Sequence, residues 1–186
     1  SYNSEDLFSL NDYILGFVLS EKYTIVSKII SQSVPLGKCG IINATSTAKE
    51  ADEFNAFIKE DFELNCFKLI NTGTIDKYST TWGNSYLVDK GKRYLTPYLP
   101  KSVSILGENR FNLYSNPKII FAKIALTPEA FYDESGEYAS VNTNCIHSFS
   151  EDFIPYFILG WVNSQLFQYQ FECFFDGLKM SGGYLL

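Results

Sequence analysis

The stretch Asn71-Thr-Gly-Thr-Ile-Asp-Lys-Tyr-Ser-Thr-Thr-Trp-Gly-Asn84 gathers amides, hydroxyls, a lysine and aromatic rings into one polar segment. Amides pair bidentately with adenine edges and hydroxyls with either base. Asn71, Thr72, Lys77, Tyr78, Thr80, Thr81, Trp82 and Asn84 therefore have the chemistry of nucleic-acid readout. A Ser/Thr/Gly-rich loop satisfying its own backbone is the competing reading for each of them. Asn142-Thr143-Asn144 is either a second readout patch or a tight turn. Lys118 and Lys123 bracket an apolar run, and from the ends of a strand one of them would reach a phosphate. Near the end of the chain, Lys179, Ser181, Gly182 and Gly183 join a cation to flexible amides suited to a phosphate. A helix C-terminal cap is the alternative there.

Catalytic signatures are not visible. The chain has no GxGxxG, GxxxxGK[ST] or GxSxG motif. His147 is the only imidazole, and beside strand residues it reads as a structural histidine. Glu60-Asp-Phe-Glu63 and Asp133-Glu134 look like solvated turns, without the separated environments that carboxylate catalysis needs. Asp76-Lys77 and Asp89-Lys90 do not reproduce metal-nuclease spacing. Cys39, Cys66, Cys145 and Cys173 form no CxxC pair, so a zinc site is not expected and free thiols in a reducing cytoplasm are. No site for a metal or cofactor is expected in this chain.

The 186 residues carry 46% hydrophobic and 17% aromatic side chains with a net charge of −6, a composition that supports a real core. The charge is uneven. Residues 64–123 hold nine basic against three acidic side chains, leaving −12 on the remainder. A DNA-facing side with an acidic back would give this asymmetry, as would a random fluctuation in a mixed surface. The longest apolar stretch, Phe153 to Phe167, is too short and too polar to span a bilayer. No signal peptide is visible. Asn43-Ala-Thr45 matches a glycosylation sequon that, without such a signal, reads as chance. Ser1 stands where an initiator Met would, which suggests an excised fragment.

These residues must be held by elements that periodicity suggests. A helix is expected over Leu7 to Ile30, broken by Ser33-Val-Pro-Leu-Gly37, then a strand over Cys39 to Ala44. Ser46-Thr-Ala-Lys-Glu50 offers an N-cap hydroxyl for a helix from Ala48 to Ile58, with Phe54, Phe57 and Ile58 inward. Strands are expected over Leu64 to Ile70, Ser85 to Val88 and Lys118 to Ala125. Lys90 to Asn116 is expected to be loop-rich, with Pro97 and Pro100 as breakers. A turn at Gly136 leads to one or two strands in Tyr138 to His147. A long helix runs from Glu151 to about Phe174, with Ser150 a candidate N-cap. The fold class is α+β, a mixed α/β domain with an irregular, mostly antiparallel twisted sheet, flanking helices and long loops.

In their order, Lys118-Ile-Ile-Phe-Ala-Lys123, Asp133-Glu-Ser-Gly136, Val141-Asn-Thr-Asn144, Gly160-Trp-Val-Asn-Ser164 and Gly182-Gly183 resemble the TaqI-like specificity domain. That family is the target recognition module of adenine-N6 DNA methyltransferases in bacterial restriction-modification systems. Leu36-Gly-Lys-Cys-Gly40 through Phe54 is similar to the start of such domains. Trp161 departs from the usual small aliphatic, and Ala122 stands where a basic residue often follows the strand's apolar pair. The chain also stops at Leu186, short of the Pro-rich exit segment that the family would lead one to expect.

The resemblance implies residues 1–32 as a helical connector from an absent methyltransferase domain and 33–186 as the DNA target recognition domain. The parent would be a site-specific adenine-N6 methyltransferase or a fused restriction enzyme. It implies double-stranded DNA and the methyltransferase domain of the same polypeptide as partners, with S-adenosylmethionine bound in that other domain. The methylating loop, a dipeptide before Pro-Pro-aromatic, does not occur here: Asn116-Pro117 is followed by Lys118. This fragment is therefore not expected to be an enzyme. The alternatives are a protein-interaction module docking another subunit through an aromatic surface, and an enzyme with His147 beside a carboxylate in a deep pocket.

Overall fold

The run after Lys118 is apolar at consecutive positions because its strand is covered on both faces. A computed structural model of the chain describes residues 23–60, 64–123 and 125–175. A short helix α1 (Tyr23–Ser31) opens it, followed by β1 (Ile41–Ala44), α2 (Ala48–Phe54), β2 (Cys66–Asn71), β3 (Ile75–Asp76) and β4 (Ser79–Thr80). Then come β5 (Leu87–Asp89), β6 (Lys92–Tyr94), β7 (Tyr98–Pro100), α3 (Val103–Ser115), β8 (Lys118–Ala122) and β9 (Ala130–Asp133). The last elements are β10 (Tyr138–Val141), β11 (Thr143–His147), α4 (Pro155–Val162) and α5 (Gln165–Phe175).

The class is α+β. A four-stranded antiparallel sheet has the order β1-β11-β8-β9, and a three-stranded sheet has the order β10-β2-β7 with β10 parallel to β2. Alternation along the larger sheet divides its side chains between two cores. Ile120, Phe131 and Cys145 join Phe67, Leu69, Leu99 and Tyr114 in the core shared with the smaller sheet. Ile119, Ala130 and Ile146 point the other way, against Ile158, Leu159 and Val162 of α4. Tyr114 is buried at the centre and donates its hydroxyl to Thr45 O (2.8 Å) and Ser140 O (3.1 Å).

β8 begins with a charge pointing inward. Lys118 is 0% exposed. In register it faces Asp133 of β9. Its Nζ donates to Asp133 Oδ2 (2.5 Å), Tyr114 O (2.7 Å) and Asn116 O (3.3 Å), which occupies all three ammonium donors. Asp133 in turn accepts from the backbone N–H groups of Glu137 and Tyr138, closing the turn after β9. In that turn Gly136 has φ +66° and lies so close to α3 that a Cβ would stand 2.2 Å from Ser115 O.

Several expected elements shift. The strand expected from Cys39 starts at Ile41, and the strand expected over Lys118 to Ala125 ends at Ala122. The N-cap of α2 is Thr47, whose hydroxyl accepts from Glu50 N while Glu50 reaches back to Thr47 N, a reciprocal capping box. After Phe54 the helix tightens to a 3₁₀ turn, Asn55–Phe57, and Phe57 is exposed rather than inward. The stretch expected to be loop-rich, Lys90 to Asn116, contains β6, β7 and the kinked α3, in which Gly107 sits at φ +72°. Arg110 anchors that helix, donating Nε and Nη2 to the Glu50 carboxylate and Nη1 to Ala44 O.

Burial alone would raise the Glu50 carboxyl, but the Arg110 and Thr47 bonds bring it below the usual value. Tyr138 to His147 is two strands in different sheets, divided at Asn142 (φ +57°). The helix expected from Glu151 begins only at Pro155, and Ser150 does not cap it. It also breaks at Asn163 and Ser164. The Asn163 amide pairs both ways with the backbone of Ala130, and the Ser164 hydroxyl accepts from Phe167 N at the start of α5. Of the helix expected over Leu7 to Ile30, only α1 falls within the described residues.

Removing one partner of the buried pair leaves an uncompensated charge, so Asp133→Ala is expected to lower stability by about 3–5 kcal/mol in urea unfolding. Glu53→Ala, which removes the exposed i,i+4 pair with Lys49, should leave the midpoint nearly unchanged. Equal effects from the two variants would contradict the role assigned to Asp133.

Candidate nucleic-acid interface

Four of the residues singled out by type meet at one rim. Asn71 ends β2 and caps the 3₁₀ turn Thr72–Thr74, its Oδ1 accepting from Gly73 N (3.0 Å) and its Nδ2 donating to Val88 O (3.4 Å). Thr72 donates its hydroxyl to Asn142 O (2.6 Å) and accepts at that oxygen from Lys123 N (3.4 Å). The ends of β2 and β8 and the crossing between β10 and β11 are thus tied together through one hydroxyl. Asn142 is exposed, and its left-handed backbone suits an Asn. Its side-chain amide and the Lys123 ammonium make no hydrogen bond or ion pair among the described residues. The Asn71 amide is already engaged at both ends.

The other candidates are placed differently. Lys77 and Tyr78 form the turn between β3 and β4. The Lys77 ammonium donates to Asn163 O (3.2 Å), and Tyr78 N donates to Ala130 O, leaving its ring 58% exposed. Thr80 donates to Thr74 O (2.6 Å), and Trp82 donates its indole N–H to Pro97 O (3.0 Å) with its ring edge-on to Tyr98. The Thr81 hydroxyl is buried and has no hydrogen-bond partner among the described residues, while Asn84 is exposed. This segment therefore largely satisfies its own backbone.

Two expectations are corrected. Lys118 faces the core and is spent on Asp133 and two carbonyls, so it cannot reach a phosphate. Thr143 is buried in a hydroxyl chain with Thr45 (2.7 Å) and Ser140 (2.5 Å), where it cannot meet a base. Asn144, the next residue along β11, lines an apolar groove with Ile42, Phe121, Phe157, Trp161 and Phe167. Lys179, Ser181, Gly182 and Gly183 lie outside the described residues.

One cationic element was not singled out by type. The β5–β6 hairpin carries exposed Lys92 and Arg93, with the Arg93 guanidinium 4.4 Å from the centre of the Tyr86 ring. Its sequence signal was Asp89-Lys-Gly-Lys-Arg93, a two-residue glycine turn between short apolar strands. Val88 O, the acceptor for Asn71, belongs to this hairpin.

His147 is half-buried and bonded through Nε2 to Asn43 Oδ1 (2.8 Å) and through Nδ1 to Ser148 Oγ (3.0 Å). Burial, and secondarily Lys118, lowers its pKa from the ordinary 6.5. Among the described residues no group of three His, Cys, Asp or Glu side chains is set to hold a metal ion. Among the described residues no disulfide joins Cys39, Cys66, Cys145 and Cys173. Burial pushes the Cys145 thiol up to about 11, which keeps it protonated at neutral pH. Among the described residues no helix is long and apolar enough to cross a membrane.

Fold and rim together define an α+β domain with polar groups gathered at one edge. The TaqI-like C-terminal specificity domain model matches residues 68–181, and the chain belongs to that family. Such specificity domains are non-catalytic parts of methyltransferases with a DNA-recognition role. No curated protein matches the chain. The family match begins inside β2. Upstream of it β1 pairs with β11 and Phe54 enters the main core, so the folded unit includes residues before the matched segment.

A depressed histidine makes the unfolded state bind the extra proton first, so stability rises with pH across that window. Unfolding free energy should therefore fall as pH drops below 6.5 toward the lowered folded value, in a step that His147→Gln removes. An unchanged pH profile in that variant would show that His147 is not the group responsible.

Proposed function

We propose that the chain is the DNA target recognition domain of an adenine-N6 methyltransferase, and that the rim of Thr72, Lys123 and Asn142 meets the duplex. The observation that carries this reading is the joining of an unengaged amide and an unengaged ammonium at one rim of a specificity-domain fold. In this arrangement Asn142 reads a base edge and Lys123 grips a phosphate, while Thr72 sets the distance between them. Asn71 is assigned to holding the rim rather than to reading, since its amide is occupied.

The domain clamps double-stranded DNA while a methyltransferase domain of the same polypeptide methylates an extruded adenine. S-adenosylmethionine binds in that catalytic domain. Residues 1–32 connect to it and 33–186 form the recognition domain. The parent belongs to a bacterial restriction-modification system in the cytoplasm, as a methyltransferase or a methyltransferase fused to an endonuclease.

A second reading, a module that docks another protein subunit, is favoured by one specific feature. The apolar groove of about 710 Å³ that contains Phe157 and Trp161 is open and has few polar atoms. The two readings separate on DNA binding by the full-length protein.

Binding to duplex DNA should weaken with salt, since phosphate contacts release counterions. Lys123→Gln should lower the slope of log affinity against log salt by about one for every sequence. Asn142→Gly keeps the left-handed backbone and removes the amide, so it should relax a single base preference by about 1–3 kcal/mol. Fluorescence anisotropy on a panel of duplexes reads both. Salt-insensitive binding, or an Asn142→Gly loss equal across all sequences, would contradict the assignment.

A further inference from the structure

We propose that the β5–β6 hairpin is a second DNA-contacting element, an arm in which Lys92 and Arg93 grip backbone phosphates beside the rim. This rests on the reading of the chain as a DNA recognition domain.

Local sequence builds the arm. Lys90 (φ +46°) and Gly91 (φ +80°) form a two-residue turn whose left-handed conformation matches the twist of the flanking strands. Gly91 has open space where a Cβ would point. The register pairs Leu87 with Tyr94 and Val88 with Arg93. Leu87 is fully buried and Tyr94 packs on the main core, so that pair roots the hairpin. Val88 and Arg93 consequently take the outward face, together with Tyr86.

The acids and cations of the hairpin then divide into spent and unspent. Asp89 accepts from the Asn55 amide, and Lys90 pairs with Asp52 at 2.8 Å. These contacts fasten the turn to α2 and leave Lys90 partly neutralised. Lys92 and Arg93 are exposed, and neither has a carboxylate partner among the described residues. Arg93 is held instead by a stack, its guanidinium 4.4 Å from the Tyr86 ring centre. A stacked guanidinium keeps its in-plane N–H donors available, and its ordering is largely complete before binding.

Phosphate is the ligand class that this arrangement favours over a base. Adjacent strand residues project to opposite faces, so Lys92 and Arg93 straddle the arm and cannot converge on one base pair. Two separated cations instead suit successive charges along a nucleic-acid backbone. The arm is coupled to the rim by Asn71, whose amide donates to Val88 O at 3.4 Å while its carbonyl caps the Thr72 turn.

The test is anisotropy with the full-length protein on duplexes of several sequences over a range of salt. Lys92→Gln/Arg93→Gln should lower the salt slope by about 1.8, on a coefficient of about 0.9 per phosphate contact, with the order of sequence preference unchanged. Tyr86→Leu keeps both charges. It should weaken binding with the slope unchanged, the signature of a lost stack rather than a lost charge. Thermal melting of each variant confirms that the fold is intact.

Wild-type protein that binds while the double variant keeps its full slope would overturn the arm. So would a double variant that keeps the slope and changes sequence preference, since that marks base readout. Wild-type protein that binds no duplex would overturn the DNA-recognition reading itself, and the arm with it.

Discussion

The fold is organised around a charge that water cannot reach. Lys118 enters the core at the first residue of β8, and its position is acceptable only because Asp133 and two carbonyls of the α3 exit surround its ammonium. Such a pair costs desolvation on both sides, so its value lies less in net stability than in what it excludes. A slip of β8 against β9 by one residue would bury both charges apart. The same carboxylate closes the turn after β9, and Gly136 lets that turn press against Ser115. One interaction thereby sets the end of α3, the register of the central sheet and the start of β10.

From that fixed start β10 runs parallel to β2, then the chain crosses at Asn142 into the other sheet as β11. The crossing needs a left-handed residue, and Asn accepts that conformation while offering an amide outward. It lands beside the end of β2 because the parallel register pairs Val141 with Asn71. The Thr72 hydroxyl then collects Asn142 and Lys123. The rim is thus a consequence of sheet geometry, and its polar groups sit on strand ends and turns supported by two packed cores. Recognition groups gain from such support, since less of their freedom is lost on binding.

Strong periodicity and cap chemistry were legible in the sequence. The apolar run of β8, the glycine turn before β10 and the helix after Thr47 all follow from local preference, and the family was visible in the last third of the chain. The segment from Lys90 to Asn116 was not legible, because α3 carries Gly107, Asn109 and Asn112 and is held by tertiary bonds from Arg110 rather than by a continuous apolar stripe. The break between α4 and α5 was hidden because Asn163 acts through pairing with the edge of β9, a long-range contact. Among the candidate residues, type alone could not separate Asn142, whose amide is free, from Asn71, whose amide is consumed. Lys118 misled for the same reason. A lysine flanking an apolar run reads as a surface cation unless its cross-strand partner is known.

On the proposed function, this chain chooses the DNA sequence on which a methyltransferase acts. Single-molecule methylation mapping of a host genome tests it most directly. The host would express the full-length gene, and then the same gene with this segment exchanged for that of a relative with a different target. One adenine-methylated motif is expected, replaced by the relative's motif on exchange. An unchanged motif, with the exchanged protein folded and abundant, would contradict it and place sequence choice outside this domain.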